Sequence, residues 1–204
     1  MSTNGTVDHL FGRIRRDLLS LFLFNPGNSF HLLEIVSILR TGRGGVQREL
    51  ANLVEGALIS RRKEGTRVLF QLRPDFAHAE ELTALFRSLV DPREMAAEFV
   101  RDSCSGAKAA AVIPAAGHRV AAVILGVKRP PEEDIRRLEL LSGVLLELHH
   151  LSGDSETVLD VPLEAMLRDP ECRFITGKIE DLMEFAEKKD DEEKDLFTSA
   201  GLDW

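Results

Sequence analysis

Residues 45–72, GVQRELANLVEGALISRRKEGTRVLFQL, constrain the fold of this chain more than any other segment. Apolar residues recur with helical spacing up to Gly56, and glycine commonly ends helices. Two short apolar runs follow, on either side of a loop rich in Arg and Lys. The segment is therefore predicted to form an amphipathic helix over residues 45–56, a strand, a tight basic turn and a second strand. The alternative is a helix and hairpin that serve only as a packing unit.

The predicted helix carries hydrogen-bonding side chains on its outward side. At ~100° per residue, the side that would face a core collects Val46, Leu50, Leu53 and Val54. Arg48 points away from these residues, and Gln47 and Asn52 flank it. Arg can form a bidentate hydrogen bond with guanine, and Gln or Asn can do so with adenine. A helix that is merely solvated would more often carry Glu and Lys, so this pattern indicates a helix that reads base edges.

Cations are concentrated in the loop between the two predicted strands, at Arg61, Arg62, Lys63 and Arg67. Glu64-Gly65 is predicted to form the turn, because glycine permits the positive φ that tight turns require. Such a loop suits contact with DNA phosphates. Arg43, just before the helix, can also reach a phosphate. The alternative is an edge hairpin that its charge keeps soluble.

The upstream sequence predicts two more helices. Apolar residues keep helical spacing over residues 7–24, and Asn25-Pro26-Gly27-Asn28 ends that helix. Ser29-Phe30 is predicted to be a short strand and residues 31–40 a second helix. Residues 41–45, TGRGG, are predicted to form the turn before the basic segment.

Residues 8–90 resemble the winged helix-turn-helix domain of bacterial and archaeal transcriptional regulators of the MarR/ArsR type. The family pattern R-x-x-[LV]-L-x-L, a following proline and L-x-E-I are carried by Arg15, Leu18, Leu19, Leu21, Pro26, Leu32, Glu34 and Ile35. The pattern V-x-R-x-L-x-x-L is carried by Val46, Arg48, Leu50 and Leu53. The usual Gly-Leu-Ile is shifted by one residue, to Gly56-Ala57-Leu58-Ile59.

The resemblance implies a sequence-specific regulator that binds double-stranded DNA, with residues 45–56 in the major groove and a basic wing, residues 61–67, on the backbone. Gln47, Arg48 and Asn52 are expected to read bases, and the phosphate-binding set is Arg43, Arg62, Lys63 and Arg67. A homodimer on a roughly palindromic site is the expected form. The alternatives are a winged-helix module that binds other proteins and a fusion to a nucleotidyltransferase.

The net charge of −8 is distributed unevenly along the 204 residues. Residues 10–73 contain 11 Lys and Arg against 5 Asp and Glu, whereas residues 91–204 contain 14 against 25. Local field rather than total charge governs DNA binding, so the acidic half should face away from a duplex. No apolar run reaches ~18 residues, and the two cysteines form no metal or disulfide pattern. A cytoplasmic protein without a membrane partner is expected.

The predicted fold class is α+β, with four parts: a winged-helix domain (1–90), a helical connector (91–108), a small α/β domain (109–190) and an acidic tail (191–204). The connector region is expected to pair subunits or to act as a linker. In the α/β domain the expected elements are strands at 109–113, 120–125 and 157–161 and helices at 132–150, 162–167 and 179–187, and the first two strands are candidates for a hairpin. This part would pair subunits or sense a small-molecule effector.

Regulators of this kind are often followed by a nucleotidyltransferase-like domain, whose chemistry needs Gly-Ser after a strand and an Asp-x-Asp pair that holds a divalent metal. Here Gly126 is followed by Val127, and Asp134 is followed two residues later by Arg136. His149 and His150 would point ~100° apart on a helix. We therefore expect no catalytic residues, metal or cofactor, and at most a relative that lacks the catalytic motif.

Overall fold

The computed structural model describes residues 9–89, 91–115, 119–126, 128–151 and 163–184. It is a mixed α/β structure with a three-stranded and a four-stranded sheet. The chain divides into two units: one contains residues 1–95 and 133–144, the other residues 96–132 and 145–204. No helix in the described ranges is long and apolar enough to cross a membrane.

The first unit is mainly helical and contains a short three-stranded sheet. In chain order its elements are α1 (Arg13–Phe24), β1 (Phe30–His31), α2 (Leu32–Leu39), α3 (Arg43–Glu55), β2 (Ile59–Glu64), β3 (Arg67–Leu72) and α4 (Ala79–Leu89). Helix α5 (Pro92–Ser103) leads into the second unit. Helix α6 (Glu132–Ser142), more remote in sequence, returns to the first unit.

Apolar side chains from the helices and the sheet of the first unit pack together in one core. Side chains from α1, α2, α3 and the sheet form one buried cluster that includes Leu18, Phe22, Ile35, Leu39, Val46, Leu50, Leu53, Ile59, Phe70 and Leu72. The predicted apolar face of residues 45–56 is thereby confirmed, because Val46, Leu50 and Leu53 are buried and Val54 packs partly buried against them.

The predicted hairpin is present, but its turn is Gly65-Thr66 and not Glu64-Gly65, and the cations expected in a loop lie on the two strands, because cross-strand pairing extends to Glu64 and Arg67. Strands β2 and β3 pair antiparallel from Ile59 with Leu72 to Glu64 with Arg67, and Gly65 takes a φ of 59° in the two-residue turn. Strand β1 pairs with the other edge of β3, which gives the sheet order β1-β3-β2.

Helix α3 begins at Arg43, so the prediction that residues 43–45 belong to the preceding turn was wrong. Gly45 lies where α3 crosses α1, and a Cβ there would stand 2.7 Å from Ile14 Cδ1. Two adjacent glycines favour a turn in isolation. In the folded chain both lie inside α3, and a larger residue at position 45 would need the end of the Ile14 side chain to shift.

The second unit contains a sheet in the order β6-β5-β4-β7. Its elements are β4 (Ala109–Ala115), β5 (Arg119–Leu125), β6 (Leu145–Leu151), α7 (Leu163–Leu167) and β7 (Arg173–Thr176), and a further helix starts at residue 179. The β4–β5 hairpin and the short helix α7 confirm predictions. Strand β7 was not predicted, and the strand expected at 157–161 lies outside the described residues.

The prediction of one helix over residues 132–150 was wrong in its second half. Helix α6 ends at Ser142, Gly143 takes a φ of 70°, and β6 then pairs in parallel with β5 along its whole length. A Cβ on Gly143 would stand 2.7 Å from Phe24 Cγ. Leu145 and Leu148 continue the helical spacing of α6. The backbone N–H and C=O groups of this segment, however, form hydrogen bonds with β5 and not within a helix.

Helix α6 lies outside the domain in which the sequence analysis placed it. Leu140 and Leu141 belong to the core cluster of the first unit. Asn25 Nδ2 donates to the carbonyl oxygens of Leu140 at 2.9 Å and of Leu21 at 2.8 Å. The unit that contains α3 therefore includes a helix from the C-terminal half of the chain, and its limits differ from the predicted 1–90.

Candidate nucleic-acid interface

The three predicted base-reading side chains, Gln47, Arg48 and Asn52, are all exposed on α3. The Arg48 side chain is 74% exposed, and its Nε lies 3.8 Å from the Glu49 carboxylate. That carboxylate is bound more closely by Arg15, whose Nη2 stands 2.8 Å from Glu49 Oε2. Arg15 thus neutralises Glu49 on the α1 side of the helix, and the Arg48 guanidinium extends into solvent.

The exposed face of α3 has two sides. Gln47 and Arg43, one turn apart, line a groove of about 540 Å³ between α3 and the hairpin. The apolar part of this groove is formed by Leu32, Leu50, Ala51, Val54, Val68 and Phe70. Arg48 and Asn52 are also one turn apart, about 100° or more further round the helix. Only Gln47 of the three predicted readers therefore faces the hairpin.

The register of the hairpin separates its four cations into two pairs. Side chains of paired residues share a face, and successive side chains alternate between faces. Arg61 pairs with Phe70 and Lys63 with Val68. These residues share the face that carries the buried Ile59 and Leu72, which we call the inner face. Arg62 and Arg67 lie on the opposite, outer face, with Leu69 and Glu64.

The predicted phosphate-binding residues therefore do not form one surface. Arg43, Arg62, Lys63 and Arg67 are all exposed, but of the three on the hairpin only Lys63 is on the inner face. Arg61, which the sequence analysis placed in the basic loop but left out of the binding set, lines the groove opposite Arg43 and Gln47. The two-residue alternation from Ile59 could have identified it, because Arg61 is the next residue on the same face.

The cations around the groove form no ion pair within the described part of the chain. No carboxylate there lies within ion-pair distance of Arg43, Arg61 or Lys63, and all three side chains are exposed. Among the described residues, Glu55 is the one acidic side chain that lines the groove, and it lies at the C-terminal end of α3. An anion that enters beside Arg43 would meet positive charge from both the helix and the hairpin.

The turn that precedes α3 is held by α6. Arg40 ends α2 with a φ of 47° and forms an ion pair with Asp134. Arg137 Nε donates to the Ile38 carbonyl oxygen at 2.6 Å, which satisfies one of the free carbonyls at the end of α2. Contacts with α6 thus hold the end of α2, next to the turn that leads into α3. Asp134, considered above as a possible metal ligand, is engaged by Arg40.

The carboxyl group of Asp17, in α1 of the first unit, is buried. Burial raises the pKa of Asp17 above its usual value, and the Arg16 guanidinium, 2.7 Å away, opposes this shift together with Arg13 and Arg137. Asp17 lies in α1 among core residues and is only 8% exposed. Its environment is therefore a matter of stability rather than of contact with a ligand.

The described residues contain no group of three or more His, Cys, Asp or Glu side chains that could hold a metal ion. Burial raises the pKa of the Cys104 thiol, and burial together with Asp169 raises that of Cys172. Both shifts lower the thiolate fraction at neutral pH, which makes these cysteines weaker nucleophiles than an exposed thiol. No protein-family model, curated protein or solved structure significantly matches this chain.

Proposed function

We propose that this protein is a winged-helix regulator of transcription that binds double-stranded DNA, with α3 in the major groove and the β2–β3 hairpin as the wing. The observation that carries the proposal is the pairing of two exposed features in one unit. Helix α3 presents Gln47, Arg48 and Asn52, and the adjacent hairpin presents four cations. The order of elements, helix, short strand, two helices and hairpin, supports the same assignment.

Charge supports a nucleic-acid partner over a neutral one. The segment from residue 10 to residue 73 has a formal charge of +6, within a chain of −8. Release of counterions from phosphates provides most of the sequence-independent affinity for DNA. A local excess of cations beside a helix that fits the major groove, which is ~12 Å wide, is what such binding requires.

The proposal extends to a homodimer on a roughly palindromic site. A two-fold axis would place two α3 helices about one turn of DNA apart, or ~34 Å. The acidic C-terminal part of the chain would then pair subunits or respond to a small-molecule effector. Its charge of −11 over residues 91–204 favours a position away from the duplex.

A protein-interaction module is the second candidate, because the groove beside α3 has an apolar wall. Leu32, Val54, Val68 and Phe70 contribute to it, and Leu33 on the neighbouring helix is 62% exposed. An apolar peptide segment could pack there. Binding of this kind would vary little with salt, whereas DNA affinity falls steeply as salt rises.

The test is a titration of the full chain with random duplex and with duplexes selected from genomic fragments, at several salt concentrations. We expect a complex at low salt, a steep fall in affinity between ~50 and ~200 mM salt and tighter binding to selected fragments. The absence of any complex with random or selected duplex at low salt would contradict the proposal and favour the protein-interaction module.

Arg48→Ala tests base reading. Loss of a bidentate contact with guanine should weaken binding to a selected site by ~1–3 kcal/mol and affect random duplex much less. Arg87→Ala removes another exposed cation, on α4, and is the matched control, for which we expect no change. If Arg48→Ala weakens binding to selected and random duplex equally, Arg48 contacts phosphates and does not read bases.

A further inference from the structure

The groove between α3 and the hairpin is cationic on both walls. Arg43 lines it from the helix and Arg61 from the hairpin, and Lys63 lies beyond Arg61 on the same inner face. Gln47, which is assigned above to base reading, lies one turn after Arg43 on the same wall, and the acidic Glu55 lies at the other end of the groove. The groove therefore presents phosphate-binding groups from two elements to whatever enters it.

We propose that one strand of the duplex passes through this groove, with its phosphates held by Arg43 on one wall and by Arg61 and Lys63 on the other. The inference rests on the proposed DNA binding and adds to it the path of the backbone. It also assigns the wing contacts to Arg61 and Lys63 and excludes Arg62 and Arg67 from them.

The spacing on the inner face suits a sugar–phosphate chain. Two residues along a strand advance ~6.6 Å, so the side chains of Arg61 and Lys63 leave the backbone at points separated by about the distance between successive phosphates. Of their cross-strand partners, Phe70 is buried in the core, and Val68 is apolar and only partly buried. Deoxyribose rings could therefore contact an apolar surface while the phosphates meet the cations.

The outer face is less suited to the same strand. Arg67 stands directly opposite Glu64 in the register, and directly opposed side chains on one face are close enough to interact. Gln71, also on this face, is bonded to the carbonyl oxygens of Pro26 and Gly27 at 3.3 and 3.4 Å. The outer face of the hairpin thus carries a smaller net charge than the inner face. At Gln71 it is in contact with the loop after α1.

The register provides a matched experiment within one hairpin. The pair Arg61→Gln with Lys63→Gln removes two charges from the inner face, and the pair Arg62→Gln with Arg67→Gln removes two from the outer face. All four side chains are exposed, and each pair leaves the buried residues of the hairpin unchanged. Binding of each full-length variant to a random duplex is measured by fluorescence anisotropy between ~50 and ~200 mM salt.

We expect the inner-face pair to raise Kd roughly tenfold for each lost contact near ~0.1 M salt, and to reduce the slope of log K against log salt by about 0.9 per contact. The outer-face pair should leave the slope unchanged and Kd within about twofold, because only distant, screened charge is removed. Thermal unfolding of each variant checks that the hairpin is intact. If a double variant fails to fold, Arg61→Gln is compared with Arg62→Gln alone.

Equal weakening by the two pairs would overturn the assignment of the strand to the groove but leave DNA binding in place, and so would a larger effect of the outer pair. Failure of the unchanged protein to bind any duplex at low salt would overturn the proposed function and this inference with it.

Discussion

Ala57 carries a left-handed backbone conformation at the end of α3, with a φ of 57°. Its N–H donates to the Val54 carbonyl oxygen at 3.0 Å, and the Leu58 N–H donates to that of Leu53, also at 3.0 Å. These two bonds form a Schellman motif, in which the left-handed residue is usually glycine. Gly56, one residue earlier, has a φ of −74°. The left-handed conformation that favours glycine is therefore adopted by Ala57 and not by Gly56, the residue that the sequence analysis expected to end the helix.

Ala57→Gly is expected to raise the free energy of unfolding by ~0.5–1 kcal/mol. A left-handed alanine costs ~1–2 kcal/mol, and the greater freedom of glycine in the unfolded chain offsets part of the gain. Urea denaturation measures the change. Gly56→Ala is the control: its Cβ would stand 3.2 Å from Leu58 Cδ1 and 3.3 Å from the Asn52 oxygen, so no stabilisation is expected. A destabilised Ala57→Gly variant would contradict the conformation assigned to residue 57.

Asp17 is expected to make stability fall as pH rises. Burial raises the pKa of its carboxyl in the folded state, so the folded protein binds this proton more tightly than the unfolded chain does. The resulting stabilisation is fully present below the unfolded value of ~3.9 and is lost as pH rises through the higher folded pKa. Asp17→Asn cannot ionise, so its stability relative to the unchanged protein should improve from ~pH 3 to neutrality.

Asp75→Asn provides the control of opposite sign. The hydrogen bond from Arg73 lowers the pKa of Asp75, so its contribution is present at neutral pH and is lost as pH falls through the folded pKa. The relative stability of Asp75→Asn should therefore decline as pH rises. Urea denaturation over the same pH series measures both differences, and slopes of the same sign for the two variants would contradict the assigned environments.

At the scale of the elements, the sequence analysis predicted helix α6 but did not predict that it packs in the core of the first unit. Its Arg137 bonds the end of α2 and its Asp134 engages Arg40, while Leu140 and Leu141 complete the core beneath α1. Helical periodicity identified the apolar face of this helix but contained no information about which core that face would join. The polar contacts of α6 are with the end of α2, so loss of α6 would remove support from the turn that precedes the proposed recognition helix.

Leu141→Ala tests this docking. The side chain is 4% exposed within the first-unit core, and such truncations cost ~2–5 kcal/mol. Urea denaturation followed by a probe in the first unit should register this loss. Arg136→Ala, at an exposed position of the same helix, should change stability by less than ~0.5 kcal/mol. A comparably small cost for Leu141→Ala would show that α6 does not support the first unit in solution.

The hairpins show which elements short-range patterns can predict. Both were expected from two apolar runs around a turn, and both are present. Residues 145–151 and β7 were not, because their strand conformation depends on pairing with β5 and β4, which are distant in sequence. A seven-residue leucine-rich segment suits either a helix or a buried strand, and the neighbouring strand decides between them.

At the scale of the whole molecule, charge and chain path follow different divisions. Charge divides the chain in sequence, with +6 over residues 10–73 and −11 over residues 91–204. The folded units do not follow this division, because residues 133–144, from the acidic half of the chain, belong to the first unit. A fragment that ends at residue 90 would keep the cations of the proposed interface but lose the helix that holds the turn before α3.

The sequence alone determined the exposed face of α3, the existence of both hairpins and the concentration of positive charge, because these depend on periodicity and composition within a few residues. Only the tertiary structure decided which hairpin cations share the groove with Arg43, since that choice depends on cross-strand register and on the packing of the sheet against α3. The same holds for the place of α6 and for Gly45 inside α3, because both follow from contacts between segments that are far apart in the chain.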